Sequence, residues 1–315
     1  MFTEYENKII KEIAQHIIEP NPVQKVLSLA GKPVEKILNV FTTTNLPVLK
    51  KIPKLINRAV DKGVRLSIKA ANIINIEKTI MVKAQKLTTI KSFNNIIELE
   101  LAAKDTIADM FNVSNAVLLG TEGAVMGAAA TLCEWIPGAQ IIVPAVIAAD
   151  VSSSLTFLTR HVCQITASYG YDPRNPENIP HILGAMIPQT DTSDEGYFSS
   201  KAMVAQSIRD SSKFLSRFTG IELEDKMLKG EAPILIKLLN YVSERLGIVI
   251  TEKELGMLVP VAGALLNGGV NVAFQQTGHI SAKDYFRQLY LDKKYGEITV
   301  RNALNDAIDT YKQKS

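Results

Sequence analysis

The sequence predicts an all-α protein, a multi-helix bundle with two Gly/Ala-rich apolar helical segments at its centre. Three observations lead there. Apolar residues recur at three- and four-residue steps along most of the 315 residues, whereas strict alternation over a strand length is hard to find. The chain is 46% hydrophobic but only 6% aromatic, so small aliphatic side chains must do much of the packing. Two long stretches, 111–159 and 255–282, carry almost no charge and are punctuated by glycine and alanine.

In order, the first helix is expected over Phe2 to Ile18, stopped by Glu19-Pro20-Asn21-Pro22. A second runs from Val23 to Phe41 and breaks at Thr42-Thr43-Thr44-Asn45. From Leu46 to Ile74, Lys50, Lys51, Lys54, Arg58, Lys62, Arg65 and Lys69 recur along one helical face. Leu49, Ile52, Leu55, Ile56, Ala59, Val60, Val64, Ile68 and Ala71 occupy the other, which makes a basic amphipathic helix with bends expected near Pro53 and Gly63. Two readings stay open for it: a solvated outer face of the bundle, or a membrane-surface helix attracted to anionic lipid. The chain divides into 1–75, leading helices that include the basic one, and 76–315, a larger helical domain.

Between Phe111 and Thr159 there is no Lys or Arg, and the acids are Glu122, Glu134 and Asp150. One helix is expected from about Ser114 to Glu134, where Gly120, Gly123 and Gly127 give the small-residue spacing that lets a partner helix approach closely. After Trp135-Ile136-Pro137-Gly138, a second runs from about Gln140 to Ser168, interrupted by Pro144. A membrane span needs about 20 consecutive apolar residues. The uncharged runs here are shorter, so a packed hairpin is expected rather than a span.

Tyr169-Gly170 reads as a left-handed helix cap, followed by a rigid turn through Asp172-Pro173-Arg174. Helices are then expected at Ile179 to Met186, Ser199 to Thr219 with Gly220 as its stop, and Glu231 to Leu246, closed by Gly247. Thr251 and Glu254 form a capping-box pattern that opens the second apolar segment, Leu255 to Ala282. There Gly263 is a packing glycine, while Asn267, Asn271 and Gln275 form a polar stripe suited to an interhelical hydrogen-bonding seam. Ser281 to Tyr290 and Thr299 to Lys312 read as a charged C-terminal helical pair.

The charge balance of 35 basic and 32 acidic residues argues against nucleic-acid binding. Cys133 and Cys163 sit in apolar, helix-like surroundings with no metal-ligand spacing, as reduced buried residues. His16, His161, His181 and His279 show no metal motif, and no nucleotide loop or GxSxG occurs, so no cofactor or metal is expected. Residues 1–15 have no secretory-signal pattern, which points to a cytoplasmic location, peripheral at the inner membrane face.

Three blocks carry a resemblance. They are Leu119-Gly120-Thr121-Glu122-Gly123-Ala124-Val125-Met126-Gly127, then Asp150 on a helix leading to Tyr169-Gly170-Tyr171-Asp172, and finally Leu258-Val259-Pro260-Val261-Ala262-Gly263-Ala264 with Asn267 and Asn271. Together with Ala282 to Leu291 they resemble the EcsC family over about Ile76 to Leu291, and the basic region before Ile76 is not matched. The resemblance implies a mostly helical bacterial protein, named for a companion of an ABC transporter, with no family-wide catalytic residues.

Asp150 is the most prominent ionisable residue, with Ser152, Ser153 and Ser154 beside it and His161 on the same helix. About ten helical residues separate Asp150 from His161, about 15 Å, so they cannot form one triad unaided. Asp150 reads first as one half of a buried ion pair. Glu122 belongs with it, and the two acids facing one another would hold a cation or share a proton.

Three functions compete. The first is a non-enzymatic, membrane-associated or lipid-interacting accessory protein, linked to transport or the cell envelope, whose partners are an anionic membrane surface, a lipid or a membrane protein. The second is a hydrolase-type enzyme with Asp150 and His161 near its site. The third is a soluble helical scaffold whose apolar segments form a core or an oligomer interface.

Overall fold

Apolar faces at helical spacing leave the chain one way to hide them, helix against helix, and a computed structural model shows that arrangement. It describes residues 1–29, 52–70, 75, 77–112, 143–188, 194–217, 233–258 and 263–314, and among these every regular element is helical. Helix α1 spans Glu4–Ile18, α2 Pro22–Leu29 and α3 Ile52–Ala70. A π-turn at Glu77–Met81 leads into the short α4, Val82–Gln85, and a 3-10 turn at Phe93–Glu98 precedes α5, residues 101–112. Then follow α6 (Val143–Ser168), α7 (Ile179–Ala185), α8 (Asp194–Leu215), α9 (Pro233–Leu258), α10 (Gly263–Tyr295) and α11 (Glu297–Lys312). The Gly-rich run with Gly120, Glu122, Gly123 and Gly127 lies outside the described residues, as do Lys50 and Lys51.

Helix α1 begins where Thr3 and Glu6 exchange side-chain and backbone hydrogen bonds in a capping box, and Ile9, Ile10, Ile13, Ala14 and Ile17 form its buried face. That face packs on α11 and α10. Helix α3 is unbroken through Pro53, which sits in the first turn where its missing N–H costs nothing, and through Gly63. The bends expected there do not break it, because Gly63 lets Leu155 of α6 approach so closely that a Cβ at that position would meet its Cδ1 at 2.3 Å. Ile56, Val60 and Val64 are fully buried between α6 and α9, while Lys54, Arg58 and Lys62 are exposed.

Two expected helix ends are absent. Helix α9 runs through Gly247 and Thr251 without a break, because Leu246, Val249 and Ile250 are buried on one continuous face and that packing outweighs the helix-breaking tendency of one glycine, about 1 kcal/mol. Helix α10 likewise continues from the apolar segment through Ser281 to Tyr295, where Gly296 at φ +87° turns the chain into α11. Helix α10 touches α1, α2, α6, α7, α9 and α11, so it forms the axis of the bundle. At the end of α6, Gly170 takes φ +90°, and Tyr171 N–H donates to the Thr166 carbonyl at 3.2 Å, closing the expected left-handed cap. Asp172 accepts from the Arg174 backbone at 2.9 Å and from its guanidinium, which fixes the following turn.

Candidate functional site

On the second half of α10, His279, Lys283 and Arg287 follow one another at four-residue steps and all are buried. Facing them on α5, Asp105 and Asp109 are also four apart. The two helices therefore present matched ladders of opposite charge. Arg287 Nε and Nη2 donate to Asp105 Oδ2 at 2.9 and 2.8 Å, and Nη1 reaches both Glu12 of α1 and Asp284 at 3.3 Å. Tyr5 OH donates to Asp105 Oδ2 at 2.6 Å, and Tyr169 OH donates to Oδ1. Burial, followed by the Asp105 charge, drives the Tyr169 phenol well above its ordinary pKa. Burial would weaken the charge on Arg287, yet Asp105 and Asp284 hold it more firmly protonated than usual. A buried charge costs several kcal/mol unless paired, and here each buried charge has its partner.

One turn along, Lys283 Nζ donates to Asp109 Oδ1 at 2.6 Å and His279 Nε2 lies 2.9 Å from the same oxygen. His279 Nδ1 in turn lies 3.0 Å from His161 Nε2 on α6. Burial lowers the pKa of both rings, reinforced at His161 by His279 and opposed at His279 by Asp109. With both rings uncharged, the geometry assigns the protons: His279 Nε2–H donates to Asp109, and His161 Nε2–H donates to His279 Nδ1. Burial would raise the Asp109 carboxyl, but the bonds from His279 and Lys283 bring it down to about 2. This carboxylate–imidazole–imidazole relay ends at a fully buried His161. The relay gives both buried rings a hydrogen-bond partner.

Asp150 is buried on α6 and accepts from Lys253 of α9, whose ammonium also donates to Ser154 Oγ at 2.8 Å. Asp150 and His161 thus belong to two different networks, one reaching α9 and the other α10 and α5. Asn271 and Gln275 are buried on α10, yet Asn271 Oδ1 and both amide atoms of Gln275 have no hydrogen-bond partner, so described residues do not build the expected seam at these atoms. Gly263 and Asn267 lie on the first turns of α10, and Arg65 and Lys69 on the last turns of α3. Cys163 is buried, and burial pushes its thiol up to about 12. Among the described residues no cluster of His, Cys, Asp and Glu is arranged to hold a metal ion, and no helix is long and apolar enough to cross a membrane.

The residues that organise this region, Asp105, Asp109, Lys253, Lys283 and Arg287, do not stand out in the sequence. Their signal is the shared four-residue spacing of acids on α5 and of His279, Lys283 and Arg287 on α10. The same spacing describes an exposed helix face, and only packing distinguishes the two.

The model of the EcsC protein family matches residues 7–291. The similarity therefore starts in α1, far ahead of Ile76. No curated protein and no solved structure matches the chain.

Proposed function

We propose that this chain, which belongs to the EcsC protein family, is a non-enzymatic accessory protein that docks electrostatically on an anionic membrane surface through the basic face of α3. The observation that carries this reading is the division of α3: Lys54, Arg58 and Lys62 are exposed at four-residue steps, while Ile56, Val60 and Val64 are fully buried on the opposite side.

Magnitudes decide how such a helix would bind. Burying each aliphatic side chain is worth roughly 1.5–3 kcal/mol, so pulling this face out of the core would cost more than a surface could return. The apolar side therefore stays with α6 and α9, and charge alone meets the lipid. Each Lys or Arg near an anionic leaflet contributes about 1 kcal/mol. Three give about 3 kcal/mol, below the roughly 4 kcal/mol of a millimolar complex, and the whole series from Lys50 to Lys69 gives about 7. Binding of this kind is reversible and depends on the complete stripe.

The hydrolase reading loses its motive, because Asp150 is neutralised by Lys253 and His161 is sealed behind His279. The test is flotation with phosphatidylglycerol-containing vesicles at low salt. Wild-type protein is expected to float and the triple variant K54E/R58E/K62E to remain in the soluble fraction. Equal flotation of both proteins, or none by the wild type, would remove the proposal.

A further inference from the structure

A second feature, separate from α3, is a cleft of about 310 Å³ where the 3-10 turn, the start of α5, the exit from α6 and the last turns of α10 meet. Its floor is Tyr169 and Phe286, stacked with ring centroids 5.4 Å apart, and Tyr171 and Tyr290 line it as well. Three lysines line it, and they differ. Lys294 is already committed to Glu6 at 3.0 Å. Lys293 donates to the Tyr171 hydroxyl at 2.7 Å. Lys104 is 2% exposed, and its ammonium donates to the Ile97 carbonyl at 2.7 Å and lies 5.3 Å from the centre of the Tyr290 ring.

Among the described residues no carboxylate lies within ion-pair distance of Lys104. That is the anomaly. Elsewhere in this protein the buried cations Lys253, Lys283 and Arg287 each meet an acid. A buried ammonium served by one carbonyl and one ring carries a desolvation cost of several kcal/mol that neither neighbour offsets. Burial, and then the repulsion of Lys293, pull Lys104 down to about 8, against the influence of Glu100. A cation held at this cost in a cleft makes the cleft a candidate binding site.

We propose that this cleft binds a phosphomonoester carried on a flat apolar body, with the phosphate between Lys104 and Lys293 and the body against Tyr171 and Tyr290. Each ammonium has three donors and spends one within the protein, which leaves several directed at a single anion. A phosphate dianion has the acceptors to use them, whereas a carboxylate presents only two oxygens. The aromatic walls give the body a stacking surface. Glu98 at the rim and Glu100, which bonds Tyr290 at 3.2 Å, are the opposing charges and disfavour a weakly charged ligand. The phosphate has two sources, a free metabolite or a lipid headgroup.

Calorimetric titration of the full chain with phenyl phosphate and with inorganic phosphate tests the site. Phenyl phosphate is expected to bind saturably, with a Kd of about 1 mM or tighter, and at least threefold more tightly than inorganic phosphate. Lys104→Met should weaken it at least tenfold and Lys293→Gln several-fold, while Glu98→Gln tightens it. Because the second ionisation of a phosphomonoester has a pKa near 6 and is largely complete at pH 7, the affinity should hold around pH 7 and fall by about pH 9 as Lys104 loses its proton. Vesicles containing phosphatidic acid that displace phenyl phosphate identify a lipid source, and vesicles that do not displace it identify a free one. K54E/R58E/K62E should bind phenyl phosphate like the wild type, which separates this site from the α3 surface. Absence of saturable binding, or binding unchanged in Lys293→Gln, overturns the proposal. Lys293 is exposed, so its variant still decides the matter should Lys104→Met fail to fold.

Discussion

Arg287 of α10 and Asp105 of α5 meet at 2.9 Å with side-chain exposures of 7% and 2%, and two further elements converge on them. Glu12 of α1 reaches the guanidinium, while Tyr5 ahead of it and Tyr169 at the end of α6 donate to the carboxylate. A single ion pair therefore ties the N-terminal helix, the α6 exit and the axial helix together.

Removing the guanidinium leaves a carboxylate buried with two phenols and no cation. Arg287→Met is expected to destabilise the fold by about 3–5 kcal/mol. Adding Asp105→Leu should recover part of that loss, because it removes the stranded charge. Urea denaturation of both variants measures the difference.

The pair between Lys253 and Asp150 makes the same prediction on the other side of α6. Lys253→Met should cost about 3–5 kcal/mol, whereas Ser154→Ala, which removes one neutral partner, should cost only about 1 kcal/mol. Equal effects would place Ser154 in a larger role than its 2.8 Å bond to Lys253 implies.

Two glycines at positive φ differ in what surrounds them. Gly170 and Gly296 have nearly the same positive φ, +90° and +87°, but a Cβ on Gly170 would lie 2.7 Å from the Ile97 backbone while one on Gly296 would meet nothing within 4 Å. Gly296, at φ +87° and ψ 141°, lies in a region essentially restricted to glycine, so Gly296→Ala is expected to cost about 1–3 kcal/mol. Gly170→Ala should cost clearly more, and it should shift Ile97, whose carbonyl holds Lys104. Thermal melts of the two variants check the order.

Stability should fall as the solution is acidified below pH 6.5. Burial holds His161, His181 and His279 below their ordinary pKa, and His181, with Lys293 adding to the effect, reaches about 4. Unfolded histidines bind protons near 6.5, so between 6.5 and about 4 the unfolded chain takes up protons that the native chain refuses, and unfolding is favoured. For His181 alone this amounts to about 3 kcal/mol at most. His16 acts oppositely: burial would lower it, but the bond to Asp284 raises it, and its contribution is in place below 6.5 and fades as pH rises through its folded value. Three against one gives a net acid loss. Urea midpoints between about pH 7 and about pH 4.5 check it, and His181→Gln should flatten the decline.

Helix positions were legible because an apolar face at helical spacing has one interpretation. The amphipathic division of α3 and the Gly170 cap follow directly from Ile56, Val60, Val64 and from glycine's access to positive φ. Helix ends were less legible: Gly247 and Thr251 carry local stop and start signals, but buried neighbours on α9 override them. The charge ladders were illegible for a different reason. Asp105, Asp109, Lys283 and Arg287 have the composition and spacing of a solvated face, and only the meeting of α5 with α10 buries Asp105, Lys283 and Arg287, while Asp109 stays half exposed.

The most direct measurement is a salt titration of vesicle binding by the full chain on phosphatidylglycerol-containing membranes. If α3 keeps Ile56, Val60 and Val64 in the core and offers only charge, binding should collapse as ionic strength rises from about 0.05 to about 0.5 M, because the Debye length shrinks to a few ångströms. Binding that persists in high salt and yields only to detergent would mean that apolar surface enters the bilayer, and would contradict the electrostatic mode of attachment.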